Sequence, residues 1–387
     1  VLTVQPVRGR RMVREFLAMA GPLYRDDPRW VPPLTLAARR FMSPRHNPYH
    51  REAETEHFLA VDRGRVLGRI STTRDPGYVE RYGDVGFFGW FESTDDQEVA
   101  TALLETAEDW ARERGLTKVA GPYSYCSTQE FGLLVDGFDT VPAAFQPHNP
   151  PYYAGLVEGA GYTEAYRTDT FSWGPDDDRA MMERVVARGE RVLRSGGFRV
   201  RDLDSRRWDA ELDLLYELFR ASFAGNHEVI PMSRPVFDYN ASELKDFLDP
   251  RLVRIVERDG TPVAFTMLLA DPNEVLAAAN GRLSPGFLLR YRKLLRQITG
   301  TVVLMIGARP ELEGEGIGRI LAAELAKVAL GRVGGYRQVH TTWIHEENWQ
   351  SRALVGRTGA RPRRRYVVLE KELGPVPGPA RGPRGPL

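Results

Sequence analysis

The chain has 387 residues, 42% hydrophobic and 27% charged, an ordinary globular balance. At about 150 residues per domain it is too long for one core and should hold two or three. Lys plus Arg number 53 against 52 Asp plus Glu, so the net charge of +1 gives no overall pull toward nucleic acid or a membrane, and any such partner needs a local patch. Cys126 is the single cysteine, which excludes an intrachain disulfide and a thiolate-held metal centre and fits a reducing cytoplasm. No apolar run reaches the roughly 18 residues of a membrane span, and Val1 to Arg11 lacks the apolar core of a secretory leader.

Leu2 to Val7 reads as a strand and Arg11 to Tyr24 as a helix, which the prolines from Pro28 to Pro33 end. His57–Arg63 and Arg65–Thr72, two alternating runs about Gly64, predict a hairpin. A strand at Val85–Phe91 follows, then a helix opened by Asp95 and Asp96 and striped with Val99, Leu103, Ala107 and Trp110. Leu116–Gly121 is a strand, and a short helix runs from Pro150 to Gly161. The polar break Gly174–Asp178 and a connecting helix, 179–194, lead into a repeat of the same plan. Its parts are strand 198–203, helix 208–223, a hairpin of 252–257 and 261–269, strand 301–306, helix 318–332, strand 338–344, helix 348–357 and strand 364–370. A repeat of this size means duplicated modules, 1–178 and 197–373 on either side of a connecting helix at 179–196. Residues 374–387, all Pro, Gly, Ala, Arg, Val or Leu after the last strand, read as a disordered tail.

The sharpest local signal is Glu313-Gly314-Glu315-Gly316-Ile317-Gly318, between a strand and a helix. Glycines allow a tight turn with outward amides, and the helix behind adds unsatisfied N–H groups and a partial positive charge, a combination suited to phosphate or pyrophosphate. The pattern is neither a dinucleotide fingerprint nor a Walker loop. The first half has the acidic, glycine-free Glu92-Ser93-Thr94-Asp95-Asp96 in the corresponding place.

Strand, glycine turn, helix, strand, then Asn348 and Gly359 on a short helix resembles the acyl-CoA-binding half of the GNAT superfamily of N-acyltransferases. Segments 23–33, 86–92, 132–139, 149–153 and 280–283 extend the likeness over almost the whole chain, to a bacterial tandem GNAT subfamily related to bacterial ceramide synthases. The resemblance implies an α/β fold of two tandem modules, each a mainly antiparallel sheet flanked by helices. It implies acyl-CoA or acetyl-CoA as co-substrate, without a metal. Pantetheine would lie beside Ile306, Gly307 and Ala308, pyrophosphate on Gly314, Gly316, Ile317 and Gly318 with Arg319 beside them, and Asn348 would contact the cofactor arm. The acceptor would be a small-molecule amine, lipid-like by relation to the ceramide synthases. Two departures stand out. Glu313 and Glu315 occupy positions where the family has basic or neutral polar residues, and each would repel a pyrophosphate by about 1 kcal/mol at ~4 Å in water. Val355 stands where many relatives have a tyrosine that acts as general acid.

A base must take a proton from the acceptor ammonium. Asp271, at the end of a hairpin strand, and Glu346, past the neighbouring strand, are the leading carboxylates, with His227 and Glu228 in a loop and Tyr366 as candidate acid. Asp271 and Asn348 could equally be caps, and Tyr366 a core residue with a satisfied hydroxyl. Cys126 reads as a small buried filler. The basic run Arg361, Arg363, Arg364, Arg365 could meet a CoA phosphate, a tRNA or a membrane, or be solvated surface. Three functions stay open at this point: acyl transfer from acyl-CoA to an amine, transfer from aminoacyl-tRNA, and non-catalytic binding.

Overall fold

The computed structural model describes residues 1–126, 129–223 and 232–374; His227, Glu228 and the expected tail beyond Gly374 lie outside them. In the first half the strands are β1 (Thr3–Pro6), β2 (Glu54–Asp62), β3 (Arg65–Arg74), β4 (Val85–Ser93), β5 (Lys118–Gly121), β6 (Leu133–Asp136) and β7 (Thr163–Trp173). In the second they are β8 (Phe198–Asp202), β9 (Val253–Arg258), β10 (Thr261–Ala270), β11 (Gly300–Ala308), β12 (Gln338–Thr341), β13 (Ile344–His345) and β14 (Arg361–Glu372). Both predicted hairpins form, each on a two-residue turn with both residues left-handed: Arg63 and Gly64 at φ 47° and 78°, Asp259 and Gly260 at φ 50° and 77°. That geometry matches the twist of paired strands.

All strands join one mixed sheet in the order β1-β2-β3-β4-β5-β14-β7-β12-β11-β10-β9-β8, with β6 beside β14 and β13 beside β7. Only β4/β5 and β11/β12 are parallel. The centre is exchanged between the halves. β14, the last strand of the chain, lies between β5 and β7 of the first half. β7 in turn pairs with β12 and β13 of the second half. A division of the chain near residue 178 therefore runs through the sheet at its most extensively paired strands.

Helix Gln97–Arg112 covers the first half's sheet with the predicted stripe, Val99, Leu103, Ala107 and Trp110 all buried. Helix Ile317–Ala329 does the same in the second half through Ile317, Ile320, Leu321, Leu325 and Val328. The helix expected to connect the halves, observed as Arg179–Ser195, packs along it. Gly189 makes this close approach possible, since a Cβ there would lie 2.3 Å from the Ala323 Cβ and 2.6 Å from the Arg319 carbonyl oxygen. Met182, Val185 and Val186 join the second core. The expected helix 11–24 is broken at Met19 into Gly9–Ala18 and Ala20–Leu23. The expected strand 338–344 is interrupted at Thr342 and Trp343, where β12 leaves its partner.

Candidate active site between the halves

β11 and β12 pair in parallel from Gly300↔Gln338 to Val303↔Thr341 and then separate. β11 carries an extra residue at Leu304, where its register with β10 shifts, and continues against β10 to Ala308. The other branch swings to β7 through Ile344↔Asp169 and His345↔Thr168. A notch opens between the branches, and one backbone edge of Leu304, Met305, Ile306, Gly307 and Ala308 has no strand partner among the described residues. Such an edge can pair with an extended polar arm, as an added strand would.

The glycine turn stands at the end of β11. Gly314 and Gly316 both have φ of 88°, a conformation that only glycine adopts without strain. The amides of Glu313 and Glu315 fold back on Pro310 and Leu312, while those of Gly314, Gly316, Ile317 and Gly318 donate in no turn hydrogen bond among the described residues. Glu315 pairs with Arg258, and Glu313 accepts from Gln350 Nε2 at 3.3 Å. Each carboxylate thus has a partner of its own, and that of Glu315 is a cation that offsets its charge. Arg319 is exposed on the first helical turn, and the Arg357 guanidinium comes within 3.8 Å of where a Gly318 Cβ would sit. Amides, helix terminus and cations fit a diphosphate despite the acidic sequence. Asn348 caps helix Trp349–Arg357 by accepting from Ser351 N at 3.0 Å.

The matching place in the first half is closed. β4 and β5 are parallel over Val85–Phe87, but then press together: a Cβ on Gly89 would lie 1.5 Å from the Tyr123 carbonyl oxygen. Trp90 Nε1 donates to Ser124 O at 2.8 Å across the same gap. Asp96 caps the following helix through Glu98 N at 2.9 Å, with no glycine cradle.

A cavity of about 1320 Å³ lies between the halves and reaches the second-half notch, whose lips Leu304, Met305, Thr342 and Trp343 form part of its wall. It exceeds the volume range of about 300–1,000 Å³ usual for drug-sized ligands. Most of the wall is apolar or aromatic, with Phe41, Trp90, Phe131, Phe145, Phe237 and Leu276 among its residues. The loop Pro122–Leu133 of the first half is held against the notch by rings: Phe131 packs on Trp343 at 4.5 Å and on Tyr123 at 5.4 Å between centroids. Beside Phe131, Glu130 faces the cavity. Its side chain is exposed, has no hydrogen-bond or ionic partner among the described residues, and is pushed up in pKa by the desolvation of the wall around it. Gln129 Oε1 and Trp343 Nε1 on the same wall are buried and also lack partners among the described residues. Unsatisfied polar atoms on a concave apolar wall are what a ligand's polar groups satisfy. No spacing in the sequence marks Glu130, because only the packing of the halves brings it to the notch.

The catalytic candidates from the sequence are not brought together, and none of the three lines this cavity. Asp271 is buried, and its Oδ1 accepts from Ala144 N at 3.0 Å and Asn273 N at 2.9 Å, stapling the loop of the first half to the second. Glu346 is exposed and accepts from Arg167 N at 3.0 Å on β7. Tyr366 is fully buried, and its hydroxyl donates to Pro147 O at 3.1 Å. Each of the three groups thus makes a hydrogen bond to the protein, and none stands on the wall of this cavity. Val355 is buried as well. The basic run lies on β14 and is largely engaged. Arg364 is buried against Thr140, Pro147 and His148, Arg365 pairs with Asp169 at 2.9 Å, and Arg361 pairs with Asp177 at 3.2 Å. Cys126 is buried in a cluster with Tyr49, Tyr125 and Val236.

Asp271 provides a test of the staple. Burial raises its pKa from 3.8 to about 6. The native state therefore holds the proton more tightly than the unfolded chain, so the contribution to stability is greatest at low pH and declines as pH rises through that window. Asparagine keeps an oxygen for both N–H donors and carries no charge. Relative to wild type, Asp271→Asn should gain stability between pH 4 and 7, by on the order of 2–3 kcal/mol, in denaturant titrations, and keep full turnover. A pH-independent difference, or a collapse of activity, would contradict the staple.

The chain matches the Acetyltransferase (GNAT) family over residues 22–122 and 212–360. It is 32% identical over 379 residues to a bacterial ceramide synthase of Caulobacter vibrioides, covering 96% of this chain and 98% of that protein. It is 31% identical over 367 residues to protein YghO of Escherichia coli, with 93% of each covered. Among solved structures, a tandem GNAT protein from the clavulanic acid biosynthesis pathway superposes with a TM-score of 0.57 over 97% of this chain and 99% of that one, at 14% identity, a likeness of fold. No helix among the described residues is long and apolar enough to cross a membrane. With two matched segments in one chain and relatives of this identity along its whole length, the chain belongs to the acetyltransferase (GNAT) family, as a tandem of two such modules.

Proposed function

We propose that this chain is an N-acyltransferase that moves an acyl group from acyl-CoA, held by the second half, to the amine of a lipid-like acceptor in the cavity between the halves. The observation that carries the reading is the continuity of the large apolar cavity with the β11/β12 notch, through Leu304, Met305, Thr342 and Trp343. The ceramide synthase relative supports it. The amides of Gly314, Gly316, Ile317 and Gly318, with Arg319, would hold the pyrophosphate, and the free edge of Ile306–Ala308 the pantetheine arm. Asn348 keeps the adjoining helix in place as its cap.

The thioester supplies the acyl carbon: the C–N bond forms as the C–S bond breaks. Glu130 has the position and the protonation behaviour to anchor the acceptor's ammonium and take its first proton, leaving a neutral nucleophile. The nitrogen's second proton goes to the departing thiolate, so no side chain at Val355 is required. Orientation of two bound substrates supplies the rest. Engagement of Arg361, Arg364 and Arg365 with protein partners removes the main support for a tRNA donor.

Acyl-CoA at about 100 times its Kd should raise the melting temperature by roughly 2–5 °C, since a ligand that binds only the native state stabilises it. Gly316→Glu should abolish the shift. At Gly316 φ is 88° and a Cβ would lie 2.9 Å from Val192 Cγ1, so Gly318→Glu, where the nearest atom is 3.8 Å away, is the milder companion. Calorimetry should find one site per chain. No shift with any CoA ester up to millimolar concentration, or two equal sites, would overturn the reading.

A further inference from the structure

Between Glu274 and Glu311 the sequence has no acidic residue, although the whole chain is nearly balanced in charge. Helix Pro285–Leu295 lies in this stretch. It turns Phe287, Tyr291, Leu294 and Leu295 toward the second-half core. The opposite face should then be polar. Instead Leu288 and Leu289 are 56% and 88% exposed, flanked by the exposed Arg290, Arg292, Lys293 and Arg296. At 3.6 residues per turn Leu289 points about 160° away from Phe287, so it gains nothing from the fold. None of the four cations has an ion pair among the described residues.

This face adjoins the mouth of the cavity. Thr35 donates from N and Oγ1 to Gly281 O, both at 3.1 Å, tying helix Thr35–Phe41 to the turn before Leu283. Thr35, Ala37 and Arg282 line the cavity and are also exposed, so the cavity reaches the surface at these two segments. Leu36 and Leu283 flank it at 56% and 44% exposure. Of the seven most exposed large apolar side chains among the described residues, four (Leu36, Leu283, Leu288 and Leu289) thus lie on the stretch 283–289 or on the helix tied to the turn before it. Scattered exposed leucines need no explanation, but a cluster does.

We infer that this face docks on an anionic lipid bilayer, with the leucines entering the interface, the arginines and lysine meeting the headgroups, and the cavity mouth turned to the lipid. Clustered leucines with surrounding cations and no carboxylate are the composition that binds an interface without spanning it, and they complement a negative surface specifically. The docking itself does not depend on acyl transfer; that it lets an amphipathic acceptor pass from bilayer to cavity rests on the function proposed above.

Sedimentation with vesicles of phosphatidylcholine alone, and of phosphatidylcholine with phosphatidylglycerol, tests the docking on the full chain. The protein should bind the anionic vesicles, weakly the neutral ones, and less as salt rises. The double variant Leu289→Glu, Lys293→Glu should lose at least about tenfold in partitioning. Both positions are exposed and outside the cavity wall, so its melting temperature and its response to acyl-CoA should match wild type. Absence of vesicle binding at low salt, equal binding to neutral vesicles, or undiminished binding by the double variant would overturn the inference. So would a concentration-dependent dimer that the double variant dissociates, which would make a second copy the occupant. If acyl-CoA binding fails while vesicle binding holds, only the acyl-transfer reading falls.

Discussion

Glu130→Gln should lower amide formation by about 10²–10⁴-fold while leaving acyl-CoA binding unchanged, the usual cost of losing a general base. The substitution keeps the side chain's size and removes only its charge. A role in packing would survive it, because the carboxylate has no partner among the described residues to lose. The pH dependence separates the two roles further. Desolvation raises the Glu130 pKa, so the basic form accumulates at a higher pH than for an ordinary glutamate. Wild-type turnover should fall as pH drops through that raised value, and the residual activity of Glu130→Gln should lack this limb. A variant that turns over an acceptor amine at the wild-type rate across pH would remove Glu130 from the chemistry. An increase in the acceptor's KM with kcat preserved would leave it as an ammonium anchor only.

Residues 1–178 made alone should fail to fold, and should regain structure when co-expressed with residues 179–387. β14 supplies Tyr366, Val367, Val368 and Leu369 to the middle of the sheet, all buried, between β5 and β7. At about 1.5–3 kcal/mol for each large buried apolar side chain, their loss removes on the order of 10 kcal/mol, as much as the whole stability of a typical domain. It also opens two hydrogen-bonding edges in the interior of a sheet. Circular dichroism and thermal melting would check this, and a cooperative melt of 1–178 alone would contradict it. Within the intact chain, Leu369→Ala should cost about 2–5 kcal/mol and destabilise both halves together, since one strand serves both.

The sequence by itself determined the hairpins, the covering helices and the glycine turn. Alternating runs around Gly64 and Asp259-Gly260 specify hairpins, because a left-handed two-residue turn and period-two burial leave few other conformations. Val99 to Trp110 and Ile317 to Val328 specify the covering helices by their spacing, and Gly314, Gly316 and Gly318 specify a turn with outward amides. These are local rules, legible wherever the residues that enforce them are neighbours in the chain. Only the tertiary structure decided which strand sits beside which. β7 and β14 are apolar enough to be central in either half, and nothing in their composition states that they exchange. Only the tertiary structure gave Glu313 and Glu315 their partners, Gln350 and Arg258, which distant segments supply. It also committed Asp271 and Tyr366 to the loop of residues 140–149, although as isolated residues both had the right chemistry for catalysis. Glu130 became the candidate base for the opposite reason. A carboxylate in a loop is ordinary until the packing of the second module places it on a cavity wall, and the desolvation that raises its pKa belongs to that wall rather than to the residue.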